Sequence, residues 1–468
     1  MKRIDVLPDD VLLEIFDFYA NVSLSHVKAE IETWQSLVHV CRRWRSLVFQ
    51  SPRRLNLRLY CTPKTPAKDV LDIWPALPLL VVGSMASSSG TDNVIAALGQ
   101  SNRVRQVLLS DLASLQLETV LAAMQLPFPE LTDLRLFSDD ETLSVIPDSF
   151  LGGSAPSLLS FSLSGIPFPG LPNLLLSATH LVYLWLSDIP HSCYISPEAM
   201  VALISVLSSL RTLSLQFKSP QSFPDRESRP PLKRSILPAL FQFRFKGVTE
   251  YLEDLVTGID TPQLNLLSIN FFNQIDFVCP RLARFINRTP TLEARDEAHV
   301  QFDDSIAGVK LRFRTSQPGL YDHEIAISCR EPDWQLSFIE QVCNAFLRPL
   351  STVEDLYIKH RYLELVWKND AIENTLWLQL LLPFTAVKNL HLSEEFAPDI
   401  ATALQDVVEG RFTEVLPSLQ NIFVEGLGPS GPFQKNIGKF VAARQLAGHP
   451  IVISEWDWET GSDIVELI

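Results

Sequence analysis

The chain lacks the features that mark membrane, secreted and metal-binding proteins. No apolar run approaches the roughly eighteen residues that cross a bilayer, and the best candidate, residues 376–384, contains Gln379 and Pro383. The first residues carry no hydrophobic segment of the kind that directs secretion. The six cysteines are scattered, without a Cys-x-x-Cys pair or paired histidines. These absences predict reduced thiols in a cytoplasmic or nuclear protein with no metal site and no membrane partner.

Basic residues are also fewer than acidic residues. The chain has 39 basic and 54 acidic residues, which gives a net charge of −15. Because nucleic acids and anionic membranes attract basic proteins, this balance argues against both as main partners. The hydrophobic share of 46% is ample for a globular core.

Motifs that carry catalysis or bind cofactors are missing, with one exception. The chain has no His-Glu-x-x-His, no Gly-x-Ser-x-Gly and no Walker loop. The exception is residues 426–431, Gly-Leu-Gly-Pro-Ser-Gly, which fit a dinucleotide-binding pattern and are followed by Glu455 as a possible ribose acid. The competing interpretation is a glycine turn in a repeat, since too few residues follow for a dinucleotide-binding sheet and Pro429 lacks an amide donor. We therefore expect no cofactor and no enzyme active site.

The first fifty residues predict two short amphipathic helices. Pro8 and the two acids after it suit the start of the first helix. Apolar residues recur at helical spacing in both segments, as Leu7, Val11, Leu12, Ile15, Phe16 and Tyr19, and as Trp34, Leu37, Val38, Cys41, Trp44 and Val48. A module this small cannot bury both stripes by itself, so part of this apolar surface should bind a partner.

These two segments resemble an F-box, the module that docks a receptor onto the Skp-type adaptor of a cullin–RING ubiquitin ligase. The resemblance rests on the Leu-Pro entrance, on Ile15-Phe16 and on the Val-Cys-Arg-Arg-Trp run, while residues 21–33 form a longer and more polar connection than usual. It implies an all-α F-box over residues 1–52. The adaptor-binding side chains that it implies are Leu7, Pro8, Val11, Leu12, Ile15, Phe16, Leu37, Val40, Cys41 and Trp44.

After residue 100 a short apolar pattern returns at intervals typical of leucine-rich repeats. Each copy has apolar residues at its first, fourth and sixth positions, and the copies begin at residues 104, 131, 158, 181, 210, 240, 264, 353, 387 and 419. The alternation predicts a short strand in each copy, and helical stripes between copies predict helices on one side. The predicted fold is α/β: an N-terminal all-α F-box followed by an irregular leucine-rich-repeat solenoid with a parallel sheet on its concave face.

The pattern also predicts the order of the domains. Residues 53–100 are expected to be a linker and capping unit, and residues 101–455 to be the repeat array. Residues 456–468 are expected to be an acidic C-terminal tail.

The pattern lapses at about residues 295–350, where we expect an irregular insert. Residues 309–313 and 324–329 predict the two strands of a hairpin that turns at residues 317–319. A helix is predicted to come next, over residues 332–347.

An F-box followed by such repeats resembles the F-box/leucine-rich-repeat receptors, in the style of the large fungal set. The resemblance implies the substrate-recognition subunit of an SCF-type cullin–RING ubiquitin ligase. The F-box would bind the Skp-type adaptor, and through it the cullin and RING subunits, while the repeats bind an unidentified target protein. Two alternatives stay open: a leucine-rich-repeat interaction protein that does not feed degradation, and a nucleotide-binding enzyme that uses the glycines of residues 426–431.

The target-binding residues are expected on the concave sheet face. The residue four after the start of each copy points away from the shared core, and from the second copy onward these positions hold Arg135, Ser162, Trp185, Ser214, Arg244, Ser268, Tyr357, His391 and Phe423. Trp, Tyr and Arg most often anchor interfaces. The candidate target-binding residues are Arg135, Trp185, Arg244, Tyr357 and Phe423. The alternative is that the aromatics only stack across strands, as Trp185 could over its small neighbours Ser162 and Ser214.

Overall fold

A computed structural model describes most of the chain: residues 7–21, 33–86, 90–140, 145–220, 234–272, 279–292, 295–303, 305–312, 323–329, 331–345, 350–360, 374–407, 414–427, 432–457 and 462–466. The chain divides into two compact units, residues 1–194 and residues 195–468. Among the helices of these ranges, none is long and apolar enough to cross a membrane.

Among the described residues, the first unit opens with three short helices: α1 (Asp9–Asn21), α2 (Thr33–Val40) and α3 (Arg42–Gln50). The second helix predicted from the sequence is therefore two helices. Cys41 has an extended backbone, and its Sγ accepts a hydrogen bond from the amide of Trp44 at 3.5 Å, so it caps the start of α3.

The three helices share a small apolar interior, and one aromatic cluster ties them to the start of the sheet. Leu12, Phe16 and Val48 are fully buried in that interior. The ring of Trp34 packs edge-on against that of Trp74 at 5.3 Å, and its Nε1 donates to the carbonyl before the first strand at 3.0 Å.

The strands of the first unit form a parallel sheet in which neighbours follow chain order. They are β1 (Leu59–Cys61), β2 (Leu79–Ser84), β3 (Val104–Ser110), β4 (Asp133–Phe137), β5 (Ser160–Ser164) and β6 (Tyr183–Ile189). The helices between them are α4 (Ala67–Ile73), α5 (Thr91–Leu98), α6 (Ser114–Ala123) and α7 (Leu171–Ser177). The segment expected to link and cap the array thus contributes β1 and β2 to its sheet.

The second unit continues the same construction. Its helices are α8 (Pro197–Ile204), α9 (Thr249–Thr257), α10 (Pro280–Arg288), α11 (Pro332–Ala345), α12 (Asn374–Leu381), α13 (Ala397–Gln405) and α14 (Pro432–Leu446). Its strands are β7 (Thr212–Phe217), β8 (Ser235–Ile236), β9 (Gln242–Gly247), β10 (Ile259–Asp260), β11 (Leu266–Phe272), β12 (Glu297–Phe302), β13 (Ile306–Arg312), β14 (His323–Ser328), β15 (Asp355–His360), β16 (Asn389–Leu392), β17 (Asn421–Glu425), β18 (Val452–Asp457) and β19 (Ser462–Glu466). Strands β7, β9 and β11 pair in parallel, as do β15 to β18, and β8 pairs with β10 apart from the main sheet. All ten copies of the apolar pattern contain a strand, so the predicted α/β fold is confirmed.

The irregular insert is a three-stranded meander built into the sheet. Strands β13 and β14 pair antiparallel, which confirms the predicted hairpin, while its predicted turn lies outside the described residues. Strand β12, which the sequence did not predict, pairs antiparallel with β13 and parallel with β15, and β14 pairs parallel with β11. The sheet therefore runs β11, β14, β13, β12, β15 without a gap.

The C-terminal residues end the sheet with a hairpin. Part of the expected acidic tail lies in β18, and the rest includes β19, which pairs antiparallel with β18. The prediction of a tail is corrected here: the pairing satisfies the edge of β18, whose backbone groups would otherwise be open to solvent.

All six cysteines are free thiols. Four of them are buried, and Cys41 and Cys193 are half-buried.

Candidate functional site

One face of α1 exposes large apolar side chains. Val11 and Ile15 are each 42% exposed, Tyr19 is 47% exposed and Phe18 is 72% exposed. Their spacing of three, four and seven residues puts them on one side of the helix, and Val40, at the end of α2, is 58% exposed. We call the four residues of α1 the α1 apolar face. A face of this kind is typical of a surface that binds another protein.

Three residues at the centre of the predicted adaptor-binding set lie inside the domain. Leu12, Phe16 and Leu37 are buried inside the three-helix module, because the helices need an interior of their own before any partner binds. Cys41 caps α3, and Trp44 is half-buried with its ring 4.7 Å from that of Phe16.

The other predicted residues lie at or near the surface. Leu7 is half-buried, and Pro8 is exposed, as are Val11, Ile15 and Val40. The predicted set does not contain Phe18 or Tyr19, although they lie three and four residues after Ile15 on the same side of the helix. That helical spacing could have identified them from the sequence.

Two arginines from later parts of the domain, Arg43 on α3 and Arg54 after it, contact residues at or in α1. Arg43 donates to a carboxylate oxygen of Asp9 and to the carbonyl oxygen of Leu7, both at 2.6 Å. Arg54 forms an ion pair with Glu14. These pairs are exposed, so they orient the helix more than they stabilise it.

In the first unit, two predicted target-binding residues lie on the strands. Arg135 is exposed, and its guanidinium is held by Asp133 through hydrogen bonds of 3.0 and 3.1 Å. Trp185 is half-buried and lies in register with Ser162 of the adjacent strand. The small neighbour leaves room for the indole, as the stacking alternative requires.

In the second unit, the remaining aromatics form a stack across the sheet. Tyr357 lies between His299 and His391, with ring centroids 4.4 and 4.2 Å away and interplanar angles of 6° and 15°. His391 then stacks on Phe423 at 4.5 Å, and Trp456 meets His391 edge-on at 4.7 Å. We call these five residues the aromatic ladder. For Tyr357 and Phe423 the geometry favours cross-strand stacking, with only the ring edges left to contact a partner.

Burial keeps the histidines of the ladder neutral. Desolvation, with a smaller contribution from the nearby His299, lowers the pKa of His391 to about 3. Desolvation also lowers the pKa of His299, although its neighbour Glu297 opposes the change. Beside the ladder, Asn389 bridges Asp355 and Asn421 through hydrogen bonds of 2.6 and 2.8 Å. The ladder is thus a rigid part of the sheet, flanked by a paired polar row.

Arg244 has a different setting from the aromatics. It is half-buried on β9 and lines a cavity of about 250 Å³ on the sheet face opposite the helices. Arg244 is therefore a predicted target-binding residue that lies beside a concave site.

The glycine segment at residues 426–431 is described only at its start. Gly426 follows β17 with a φ of +61°, a left-handed conformation that suits glycine, and α14 begins a few residues later. Gly428 and Gly431 lie outside the described residues. Within the ranges that the structure describes, no group of three or more His, Cys, Asp or Glu residues could hold a metal ion.

Comparison with known proteins gives a family match on the sequence and matches among solved structures. Residues 4–58 match the family model described as F-box-like. None of the curated proteins compared with the chain matches it. Among solved structures, the leucine-rich repeat-containing protein LegL7 from Legionella pneumophila is similar at 14% identity and a TM-score of 0.27, over 84% of this chain and 98% of that one.

Residues 4–58 are thus an F-box-like domain, as predicted from the Leu-Pro and Val-Cys-Arg-Arg-Trp segments. The repeated strand–helix units after this domain have the construction of leucine-rich repeats, interrupted by the meander. This combination defines a protein-interaction adaptor.

Proposed function

We propose that this protein is the substrate-recognition subunit of an SCF-type cullin–RING ubiquitin ligase. Its F-box-like domain binds a Skp-type adaptor, which links it to the cullin and RING subunits, and its repeat sheet binds the target protein. The observation that carries the proposal is the α1 apolar face within a domain that matches the F-box-like family. The proposal implies a cytoplasmic or nuclear protein, and its six free cysteines suit those reducing compartments.

The adaptor interface that we propose differs from the one expected from the sequence. Val11, Ile15, Phe18 and Tyr19 contact the adaptor, joined by Val40, while the buried residues of the module hold α1 in place. Complete burial of an exposed Val, Ile or Phe side chain contributes about 1.5–3 kcal/mol, so even partial burial of this face supports a stable complex.

In this account the protein contributes to catalysis by position. It holds a target next to the ubiquitin-carrying enzyme, which raises the effective concentration of target lysines near the thioester. No residue of this chain needs to form or break a bond in that step.

Affinity purification with mass spectrometry tests the proposal. We expect the tagged chain to recover adaptor and cullin, and the double variant Ile15→Glu with Phe18→Glu to recover neither. Leu115→Glu is the matched control, because Leu115 is 75% exposed on α6 and lies outside the F-box-like domain. Recovery of the adaptor without cullin would instead favour an interaction protein that does not feed degradation. Equal recovery by the wild type and the double variant would refute the proposal.

A further inference from the structure

The cavity beside Arg244 lies where the meander joins the repeat strands. A single register row crosses its floor from β9 to β12, through β11, β14 and β13, and consists of Lys246, Asn270, Ala326, Gly308 and Gln301. The three central strands contribute small or short side chains to this row. The floor is therefore low in the middle and bounded by long side chains at both ends.

Gly308 keeps that floor low. A Cβ at this position would lie 2.8 Å from the Cβ of Ala326 and 2.9 Å from the carbonyl oxygen of Ile325. Any larger residue would push the two strands apart, so the trough depends on the close packing of β13 against β14.

The side chains of the row point away from the helices. Phe245 on β9 stacks on Tyr251 of α9 at 5.9 Å, and Phe271 on β11 packs against Phe338 of α11 at 6.4 Å. Because strand residues alternate between faces, their neighbours Lys246 and Asn270 face the opposite side. A partner can thus reach the trough without displacing a helix.

The charges around the trough are separated by sign. Arg244 and Lys246 line its β9 end, and Asp303 lines its β12 end. Between them, the Nζ of Lys310 is 2.9 Å from a carboxylate oxygen of Glu324, so these two largely neutralise each other. The trough is positive at one end and negative at the other.

We infer that this trough binds an extended segment of the target protein that carries one acidic and one basic side chain about five or six residues apart. Four strand spacings of about 4.8 Å separate the ends of the row, or about 19 Å. An extended chain covers that distance in about six residues at about 3.3 Å each. The acidic side chain pairs with Arg244 and Lys246, the basic one pairs with Asp303, and small residues lie over Gly308 and Ala326. The inference rests on the proposed function, because it specifies the class of target segment that the receptor selects.

Fluorescence anisotropy with synthetic peptides tests this inference on the full chain. The probes are fluorescein-labelled ten-residue peptides of Ser and Ala with one Asp and one Lys, separated by one to eight residues, in both orders. We expect the affinity to peak at a separation of five or six in one of the two orders. It should be at least tenfold weaker at a separation of two.

Charge variants identify the binding site. Lys246→Glu and Asp303→Lys should each weaken the best peptide at least tenfold. The triple variant Arg244→Glu, Lys246→Glu and Asp303→Lys inverts the polarity of the trough and should bind the peptide of opposite order. Lys435→Glu, an exposed change of the same charge on α14, should leave the affinity unchanged. If the wild type binds none of the peptides, or binds them irrespective of spacing, or if both single variants bind like the wild type, the inference is refuted.

Adaptor binding is measured on the same preparations, which separates this inference from the proposed function. Lys246→Glu should keep full adaptor binding. A wild type that binds the adaptor but shows no spacing-dependent peptide binding refutes the inference only. A wild type that fails to bind the adaptor refutes the proposed function, whatever the peptides do.

Discussion

At the scale of single residues, two phenylalanines of α1 have opposite roles. Phe16 is fully buried and Phe18 is largely exposed, although they are two positions apart on one helix. The helical periodicity of the sequence identified the apolar side of α1, but it could not tell which part of a broad stripe the module buries itself. That division depends on where α2 and α3 pack, which only the tertiary structure shows.

The buried histidine of the aromatic ladder makes stability depend on pH. His391 has a pKa of about 3 in the folded protein and an ordinary value of 6.5 when unfolded. Above pH 6.5 both states are neutral. Below it, only the unfolded state takes up the proton, so the free energy of unfolding falls by about 2 kcal/mol between pH 7 and pH 5.

Urea denaturation of the wild type and of His391→Phe, at pH 7 and pH 5, measures this effect. The variant keeps a flat ring in the stack and should lose about 2 kcal/mol less on acidification. His180→Phe removes an exposed histidine of the first unit and should behave like the wild type. An equal loss in the wild type and His391→Phe would contradict the assignment.

At the scale of secondary structure, the repeat strands could be predicted and the meander only in part. The strands of the array carry an apolar residue at every second position. This strand pattern also recurs along the chain at intervals typical of leucine-rich repeats, which a single strand cannot show. Strand β12 alternates just as clearly, yet its polar residues Glu297, His299 and Gln301 are buried too. The contacts of Glu297 with Arg312 and of His299 with Tyr357 account for that burial. Such pairing between distant segments has no local signal in the sequence.

The close packing of β13 on β14 predicts a position-dependent effect of adding one methyl group. Gly308→Ala should destabilise the second unit by about 1–3 kcal/mol, because the new Cβ has no room between Ala326 and the backbone of Ile325. The control is Gly438→Ala on α14, where no atom lies within 4 Å of the added Cβ. That change should stabilise its helix by about 0.5–1 kcal/mol. Urea denaturation of both variants measures the difference, and an undiminished stability of Gly308→Ala would contradict the packing.

At the scale of the whole molecule, the two proposed surfaces belong to different units of the chain. The α1 apolar face is in the first unit, and the polarised trough is in the second. The sequence predicted an F-box followed by repeats and Arg244 as a target-binding candidate. It could not predict the trough, because the predicted hairpin forms its floor only by pairing with β11 on one side and with the unpredicted strand β12 on the other.

The measurement that tests the central claim most directly is the affinity of the purified full chain for a purified Skp-type adaptor, by isothermal titration calorimetry. The wild type and Leu115→Glu should bind equally. Ile15→Glu with Phe18→Glu should bind at least about a hundredfold more weakly, since two carboxylates would be buried in an apolar interface. Unchanged circular dichroism of the double variant would show that its fold is intact. A wild type that does not bind the adaptor, or a double variant that binds as tightly as the wild type, would contradict the account.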